Sequence, residues 1–231
     1  MTRGATAQAA FSGMGAASQS RHEAVVTGAR HSRSACLTYN PRLSVQVPMM
    51  SPKATVYKAE LQVSDMDRHY YAAHDLVLAQ HPSETEARLM TRLIAFALFA
   101  EDRLEFGRGL SNDEEPDLWR RDYTGDIEQW IDLGQPDESR IRKACGRARQ
   151  VVVVNYSGNA AGIWWDKHAS ALSRLKNLTV VDFDAASIEA ATALLQRSMR
   201  LTAMLQDGEL QLLGEAGSVS VTPHWRLRAP D

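Results

Sequence analysis

The segment EPDLWRRDYTGDIEQWIDLG, which begins at Glu115, places the tightest limits on how this chain can fold. It consists of two stretches of alternating polar and apolar residues separated by Thr124–Gly125, and this pattern predicts a β-hairpin. If those two residues form the turn, Asp117 lies directly opposite Asp132. A four-residue loop with the same centre keeps this register, whereas a three-residue loop breaks it. The sequence therefore predicts a hairpin that carries an aspartate near the outer end of each strand.

The two faces of this hairpin differ in character, because successive side chains of a strand point to opposite faces. The face with the aspartates also carries Trp119 and Trp130, which lie opposite each other in the same register. We expect these two tryptophans to pack as a pair rather than to serve as a platform for stacked bases. The other face is apolar and is predicted to lie on the core; it presents Leu118, Ile127, Ile131 and Leu133.

Two aspartates that face each other across a ladder repel, so their charges need compensation. A bound cation, a basic partner or the absence of real contact would each provide it. Opposed Cβ atoms lie about 4.5–5.5 Å apart, so Asp117 and Asp132 can share one divalent cation. Mg²⁺ suits such a site because it takes oxygen ligands and keeps several waters. An ion held there would polarise a phosphate ester and help to deprotonate an attacking water.

Helical and strand-like segments surround the hairpin in a regular order. Ser83 and Glu86 form a capping box, which predicts a helix that runs to Glu101. RLEFGRGL then predicts a short strand, PDESRIRKACGRAR a helix and VVVVNY a buried strand. The predicted order is therefore helix, strand, strand, strand, helix, strand. This order places the outer ends of the central hairpin between two helices.

Hairpins are also predicted on either side of this central part. KATVYKAELQV alternates and HDLVLAQ is a suitable return strand, so together they predict an N-terminal hairpin. Near the C-terminus, LTAMLQDGELQLLG predicts a hairpin that turns at Asp207–Gly208, and GSVSVTPHW predicts one last strand. AASIEAATALLQRSM before them predicts a helix. We therefore expect a single α+β domain over residues 50–231.

Residues 1–49 differ in composition from the rest of the chain. They are rich in Ala, Ser, Gly and Arg, contain the single acidic residue Glu23, and show no sustained periodicity, so we expect disorder. Such a segment is typical of an organellar transit peptide. The alternative is a start codon assigned too early, with Met50 as the first residue of the protein, and we favour that alternative.

Composition excludes several classes of protein. With 44% hydrophobic and 23% charged residues, the chain has the composition of an ordinary soluble globular protein. Its net charge of -2 provides no overall attraction to nucleic acid, so any contact with phosphates needs a local basic patch. Cys36 and Cys145 form neither a zinc-type spacing nor a disulfide framework, which favours a reducing compartment and a cytoplasmic location. No apolar stretch is long enough to cross a bilayer, and no Gly-rich phosphate loop or serine elbow is present.

A series of ordered motifs resembles the YaeQ family, and the resemblance covers the chain from Met50 to the C-terminus. The motifs are KATVYKA, HPSET, RLEFGRGL, EPDLW, WIDLG, PDESRIRKAC and GIWWD. The resemblance implies a restriction-endonuclease-like core, similar to the PD-(D/E)XK nuclease fold. It implies no established biochemical activity.

The resemblance also implies roles for individual residues. Asp117 takes the place of the first motif aspartate and Asp132 that of the second acidic residue, so both are predicted metal ligands. Glu84 fits the acidic residue that many such nucleases carry on the first helix, and it is a third predicted ligand. The standard motif places a lysine where Gly134 stands here. Lys143 on the following helix is the candidate that would replace it as a catalytic residue.

Three basic residues after the hairpin share one side of the predicted helix, because Arg140, Lys143 and Arg147 are spaced at i, i+3 and i+7. We predict that Lys143 orients water and stabilises developing charge, and that Arg140 and Arg147 bind phosphates. Arg140 is also an alternative to Lys143 in the catalytic role. Structural interpretations stand beside these: a carboxylate such as Glu84 stabilises the first turn of a helix without any function, and Lys143 would then be a solvated side chain.

Two functions remain open at this level. The first is Mg²⁺-dependent hydrolysis of nucleic acid or another phosphate ester. The second is a binding or regulatory protein that keeps the fold without cleavage. The acidic residues favour the first, whereas the missing motif lysine and the slightly acidic composition favour the second.

Overall fold

A computed structural model describes residues 54–108 and 114–230 of the protein. Within these ranges, eleven strands form two sheets, and four α-helices are present. The strands are β1 (Thr55–Asp65), β2 (Tyr70–Gln80), β3 (Leu104–Phe106), β4 (Leu118–Arg121), β5 (Ile127–Leu133), β6 (Ala148–Asn155), β7 (Leu178–Asp182), β8 (Ser198–Gln206), β9 (Glu209–Gly214), β10 (Gly217–Val221) and β11 (His224–Leu227). The helices are α1 (Glu86–Leu98), α2 (Glu138–Cys145), α3 (Asn159–Leu172) and α4 (Ala185–Ala191). The predicted leader, residues 1–49, lies outside the described residues.

The first sheet has five strands in the order β10-β9-β8-β1-β2. It contains both predicted outer hairpins, β1 with β2 and β8 with β9, and β1 also pairs in parallel with β8. The alternation of apolar and polar residues places β1 in a sheet with one face on the core. Every second residue of β1 from Tyr57 to Val63 is buried, and the residues between them are exposed. β2 begins at Tyr70, earlier than predicted, since the alternation continues back through Ala72.

The second sheet has six strands in the order β11-β7-β6-β5-β4-β3. Its elements follow the predicted order: α1, β3, β4, β5, α2 and β6. Strands β3, β4 and β5 are antiparallel, whereas β5, β6 and β7 are parallel and are connected through α2 and α3. Parallel strands need such crossovers, which explains why the buried run of valines in β6 lies between two helices in the sequence.

Two core clusters lie on the two faces of the second sheet. The first joins α1 to both sheets and includes Leu118, Ile131 and Leu133, as predicted for the apolar face of the hairpin. The second contains Trp130 together with residues of α2, α3 and β6, so Trp130 is buried rather than open to bases. Ile127 packs against this second cluster, which contradicts its predicted face.

A β-bulge explains the position of Ile127. Trp119 lies opposite Trp130, as the predicted register requires, but the pairing shifts between Arg120 and Arg121, and Arg121 lies opposite Ile127. An extra residue in one strand reverses the faces beyond it. The predicted register is therefore correct at the outer end of the hairpin and wrong next to the turn.

The first helix begins later than predicted, and this moves Glu84. Thr85 is the N-cap, because its side chain accepts a hydrogen bond from the backbone N–H of Arg88, whereas the Ser83 hydroxyl bonds to the His81 ring. The helix ends at Leu98 rather than Glu101. Glu84 therefore precedes the cap, and its interpretation as a carboxylate of the first helical turn is wrong.

Two boundaries near the C-terminus also differ from prediction. α4 ends at Ala191 and a short 3₁₀ helix (Thr192–Leu194) follows it, so the segment from Ser198 belongs to β8 rather than to the helix. GSVSVTPHW forms two strands in different sheets, β10 and β11, on either side of Pro223. Proline has no N–H for a ladder, which is consistent with a break there. In the described ranges no helix combines the length and the apolar character that a bilayer crossing needs.

Candidate functional site

The Glu84 carboxylate is buried and is bound by two arginines of α1. Arg92 Nη1 lies 3.1 Å from Glu84 Oε1 and 3.0 Å from Oε2. Arg88 Nη1 lies 3.3 Å from Oε1. The arginines follow Glu84 by four and eight residues, so both lie on the helix face that looks back to it. Arg92 itself is only 2% exposed and also donates to the Ala79 carbonyl, which fixes α1 to β2.

Asp117 directly precedes β4, and its carboxylate is bound on both oxygens. Oδ1 accepts from Arg88 Nη2 at 2.7 Å, and Oδ2 accepts from the backbone N–H of Leu133 at 2.8 Å. Arg88 therefore bridges Glu84 and Asp117. Burial alone would lower the pKa of the Arg88 guanidinium, but the charges of Asp117, Tyr156 and Glu84 together outweigh it, so this pKa lies above its ordinary value.

Asp132 lies within β5 and is bound by α2. Arg140 Nε lies 2.9 Å from Asp132 Oδ2 and Arg140 Nη2 lies 2.8 Å from Oδ1, which is a bidentate pair. Arg140 Nη2 also donates to the Glu115 carbonyl at 2.9 Å. Asp132 is only 2% exposed. Of the three kinds of compensation that the sequence left open, the structure provides a basic partner for each aspartate: Arg88 for Asp117 and Arg140 for Asp132.

Lys143 and Arg147 contact a residue that the sequence did not single out. Lys143 Nζ lies 2.6 and 2.8 Å from the two carboxylate oxygens of Glu114, and Arg147 Nη1 lies 3.2 Å from one of them. The Glu114 pair with Lys143 and Arg147 is open to solvent, whereas Glu84, Asp117 and Asp132 are buried. The predicted catalytic lysine therefore binds an exposed glutamate. The helix α2 ends at Cys145, so Arg147 follows it, and the prediction that Arg147 lies on this helix is wrong.

The backbone at Gly134, where the family resemblance would have placed a lysine, has a conformation that disfavours any side chain. Gly134 has a φ of 90°, a region in which side chains are strained, and its N–H donates to the Val154 carbonyl at 2.8 Å. A lysine there would have to adopt that conformation. A second glycine fixes Asp117: Gly107 N donates to the Asp117 carbonyl at 2.9 Å, and a Cβ on Gly107 would collide with the Pro116 carbonyl oxygen.

Tyr156, immediately after β6, completes the surroundings of the bridged carboxylates. Its phenol is half-buried, and burial is the main cause of a pKa above the ordinary value. The Arg88 charge acts in the opposite direction, and the Asp117 and Glu84 charges act in the same direction as burial. Sequence reasoning found the three carboxylates but missed Arg88, Arg92, Glu114 and Tyr156. The spacing of the arginines from Glu84 was the available signal for two of them.

The carboxylates in this arrangement do not fit a magnesium ion. Within the described part of the chain, no group of three or more His, Cys, Asp or Glu side chains is arranged to hold a metal. Mg²⁺ needs carboxylate oxygens that are available to it. Here the oxygens of Glu84, Asp117 and Asp132 accept hydrogen bonds from guanidinium or backbone groups. The magnesium site stays a prediction from the sequence.

Comparison with a family model gives a match over most of the chain. The model described as YaeQ protein matches residues 50–223. The uncharacterized protein YaeQ of Escherichia coli (strain K12) is 43% identical over 173 residues, which cover 74% of this chain and 95% of that protein. The protein of the same name from Salmonella typhi is 44% identical over 164 residues, or 71% of this chain and 90% of that protein.

Solved structures show the same similarity. The crystal structure of YaeQ protein from Xanthomonas axonopodis pv. citri is 65% identical, with a TM-score of 0.75, and the match covers 77% of this chain and 99% of that one. The crystal structure of YaeQ protein from Pseudomonas syringae is 31% identical, with a TM-score of 0.72 and coverage of 76% and 97%. Both similarities extend over nearly the whole of the solved chains.

Proposed function

The chain belongs to the YaeQ family, and on that premise we propose that it is a binding protein for phosphate-bearing ligands such as nucleic acid, with a nuclease-like core that it does not use for cleavage. The order α1, β3, β4, β5, α2, β6 supports the nuclease-like, PD-(D/E)XK type of core. The observation that carries the proposal is the convergence of Lys143 and Arg147 on one anionic group, the Glu114 carboxylate.

This convergence defines an anion position on the protein surface. Lys143 and Arg147 are four residues apart in the sequence, and both donate to the same carboxylate oxygen of Glu114. A phosphate group has the same acceptor chemistry and forms charge-assisted hydrogen bonds with both types of side chain. The side chains of Glu114 and Lys143 are 63% and 55% exposed, and exposed ion pairs contribute little to stability. A phosphate-bearing ligand therefore loses little when it replaces Glu114.

Trp130 helps to hold the arginines next to this position. The guanidinium groups of Arg140 and Arg147 lie 5.9 and 5.8 Å from the centre of the Trp130 ring, within the range of cation–π attraction. Trp130 is itself fixed in the second core cluster. We call Lys143, which lies on α2, and Arg147, which follows its C-terminus, the basic pair. The contact with Trp130 orients the Arg147 guanidinium before any ligand binds, which limits the entropy lost on binding.

The substitution Glu114→Gln is expected to raise the affinity for nucleic acid by about 2–5-fold at low salt, because it removes an anion that competes for the basic pair. Fluorescence anisotropy with labelled single-stranded DNA, duplex DNA and RNA measures this change. The double substitution Lys143→Gln, Arg147→Gln is expected to weaken binding and to reduce its dependence on salt concentration, since fewer phosphates are contacted.

Arg142→Gln is the matched control for this experiment. Arg142 lies on α2 as well, but it pairs with Glu138 rather than Glu114. Its loss removes one positive charge without touching the anion position. The single substitution Arg147→Gln, which also removes one positive charge, is measured beside it and is expected to lose more affinity. Equal losses of affinity for Arg142→Gln and Arg147→Gln, or no change in affinity for Glu114→Gln, would contradict the proposal.

One observation favours the rival function, Mg²⁺-dependent hydrolysis of phosphodiesters. Since Arg88 donates to both Glu84 and Asp117, these two carboxylates lie within reach of a single positively charged group. Against the rival function, a divalent cation would have to displace Arg88 from these two carboxylates and Arg140 from Asp132. Because the Asp117–Arg88 pair is largely buried, such an exchange costs more than the loss of an exposed pair.

Titration calorimetry with Mg²⁺ and Mn²⁺ is expected to show no saturable binding that depends on Asp132. Wild-type protein and Asp132→Asn, which keeps the volume of the side chain, are compared, with circular dichroism as the check on folding. We also expect no cleavage of DNA or RNA in the presence of either ion. Saturable binding in the wild type that disappears in Asp132→Asn would replace our proposal with the enzymatic one.

A further inference from the structure

Strand β2 forms an open edge of the first sheet. Within the described residues it pairs with β1 and with no other strand. The inward side chains of β1 are buried, whereas those of β2 at Tyr70, Ala72, His74 and Leu76 are only half-buried. The core is therefore incompletely covered along this edge.

The pairing of β1 with β2 and β8 shows which backbone groups of β2 point away from the sheet. Lys58 N donates to the Arg197 carbonyl, so the even-numbered residues of β1 bond towards β8 and the odd-numbered ones towards β2. Since Tyr57 lies opposite Leu78, the even-numbered residues of β2 bond inward. The N–H and C=O groups that point away from the sheet then belong to Tyr71, Ala73, Asp75, Val77 and Ala79.

The part of this edge between Tyr71 and Val77 is suited to pairing with another strand. The Ala79 carbonyl already accepts a hydrogen bond from Arg92. This agrees with its outward direction and makes it unavailable to a further strand. From Tyr71 to Val77 the strand contains no proline, lysine or bulge, and Asp75 is its one carboxylate. Tyr71 and Val77, which stand at either end of it, are 61% and 62% exposed.

The geometry points to a second copy of this chain as the partner, and we propose a two-fold symmetric dimer in which the β2 strands pair antiparallel with the axis at His74. In this register Tyr71 lies opposite Val77 of the second copy, and Ala73 lies opposite Asp75. These four residues are the ones with available outward groups, and each exchanges two backbone hydrogen bonds with its partner. An aromatic residue opposite a β-branched one is a favourable cross-strand pair.

Neighbouring registers are less suitable. With the axis at Asp75, two carboxylates face each other directly, which is repulsive. With the axis at Leu76, Ala73 must pair with Ala79, whose carbonyl is already bonded to Arg92. With the axis at Ala73, Val77 must pair with His69, which lies outside the strand at a φ of 58°.

The proposed dimer also closes the incompletely covered core. On the inner face, Ala72 lies opposite Leu76 of the second copy, and His74 lies opposite His74. Each of these side chains is half-buried in the single chain. Pairing would join two five-stranded sheets into one continuous sheet and remove the open edge from solvent.

Sedimentation equilibrium of the full chain tests the association, and a dimer mass is expected. Asp75→Pro removes an outward N–H without breaking the ladder to β1, a position where an edge strand tolerates proline. We expect it to weaken the dimer at least about tenfold, as an intermolecular hydrogen bond pair is lost and the ring obstructs the approach. Asp75→Ala keeps the N–H and is expected to remain dimeric.

Disulfide cross-linking tests the register, in a background in which Cys36 and Cys145 are replaced by serine. His74→Cys places two thiols opposite each other at the axis, and oxidation is expected to give a covalent dimer. Ala72→Cys is the matched control, because its proposed partner is Leu76 and no cross-link should form. A wild-type chain that sediments as a monomer at all concentrations overturns the dimer. A cross-link through Ala72→Cys in place of His74→Cys overturns the register.

Discussion

Glu84→Ala is expected to lower the free energy of unfolding by about 3–5 kcal/mol, the usual effect of removing one partner from a buried ion pair. The reason is that Arg92, only 2% exposed, would keep its charge in the core without a carboxylate. Urea unfolding followed by circular dichroism measures the change. The slope of the unfolding free energy against urea concentration should equal that of the wild type if unfolding remains two-state.

A double substitution shows whether the loss comes from Arg92. Arg92→Met removes the charge and fills a similar volume, so Glu84→Ala combined with Arg92→Met should be more stable than Glu84→Ala alone. Arg103→Met with Glu128→Ala is a control cycle on a partly exposed pair, in which we expect a coupling below about 1 kcal/mol. A loss below 1 kcal/mol for Glu84→Ala would show that Arg92 reaches solvent and that this buried pair is not as the structure describes.

Asp117→Asn is expected to destabilise the protein by about 2–3 kcal/mol, because it removes a charge-assisted hydrogen bond from Arg88 at a buried position. If Asp117 instead served mainly as a metal ligand held near another carboxylate, the substitution would relieve repulsion and leave stability unchanged or higher. Thermal unfolding with EDTA and then with excess Mg²⁺ separates the two cases. We expect the same loss in both solutions.

The sequence predicted the central elements well because their signals are local. Alternation in β1 and in the hairpin of β4 and β5, the turn at Asp207–Gly208, and the valine run of β6 each specify an element without reference to the rest of the chain. The order of those elements then follows from their positions in the sequence. Boundaries were less accurate where two local signals compete, as at Ser83 and Thr85, both of which can cap a helix.

Part of the candidate site was also predictable. The carboxylates of Asp117 and Asp132 were identified from the register of the hairpin and that of Glu84 from a family resemblance, and the register of Trp119 with Trp130 is correct. Their surroundings were not identified, since Arg88 reaches Asp117 across 29 residues of sequence and Lys143 reaches Glu114 across an equal separation. No periodicity connects residues so far apart.

The amino-acid sequence by itself determined which segments become strands and helices, their order, and the presence of three acidic residues at the ends of these elements. Only the tertiary structure decided what those acids bind, because charge compensation depends on which helix packs on which face of the sheet. Once α1 and α2 lie on the second sheet, Arg88 and Arg140 occupy the carboxylates that the sequence alone would assign to a metal ion. Burial then makes those ion pairs costly to open, whereas Lys143 and Arg147 bind Glu114 at an exposed position.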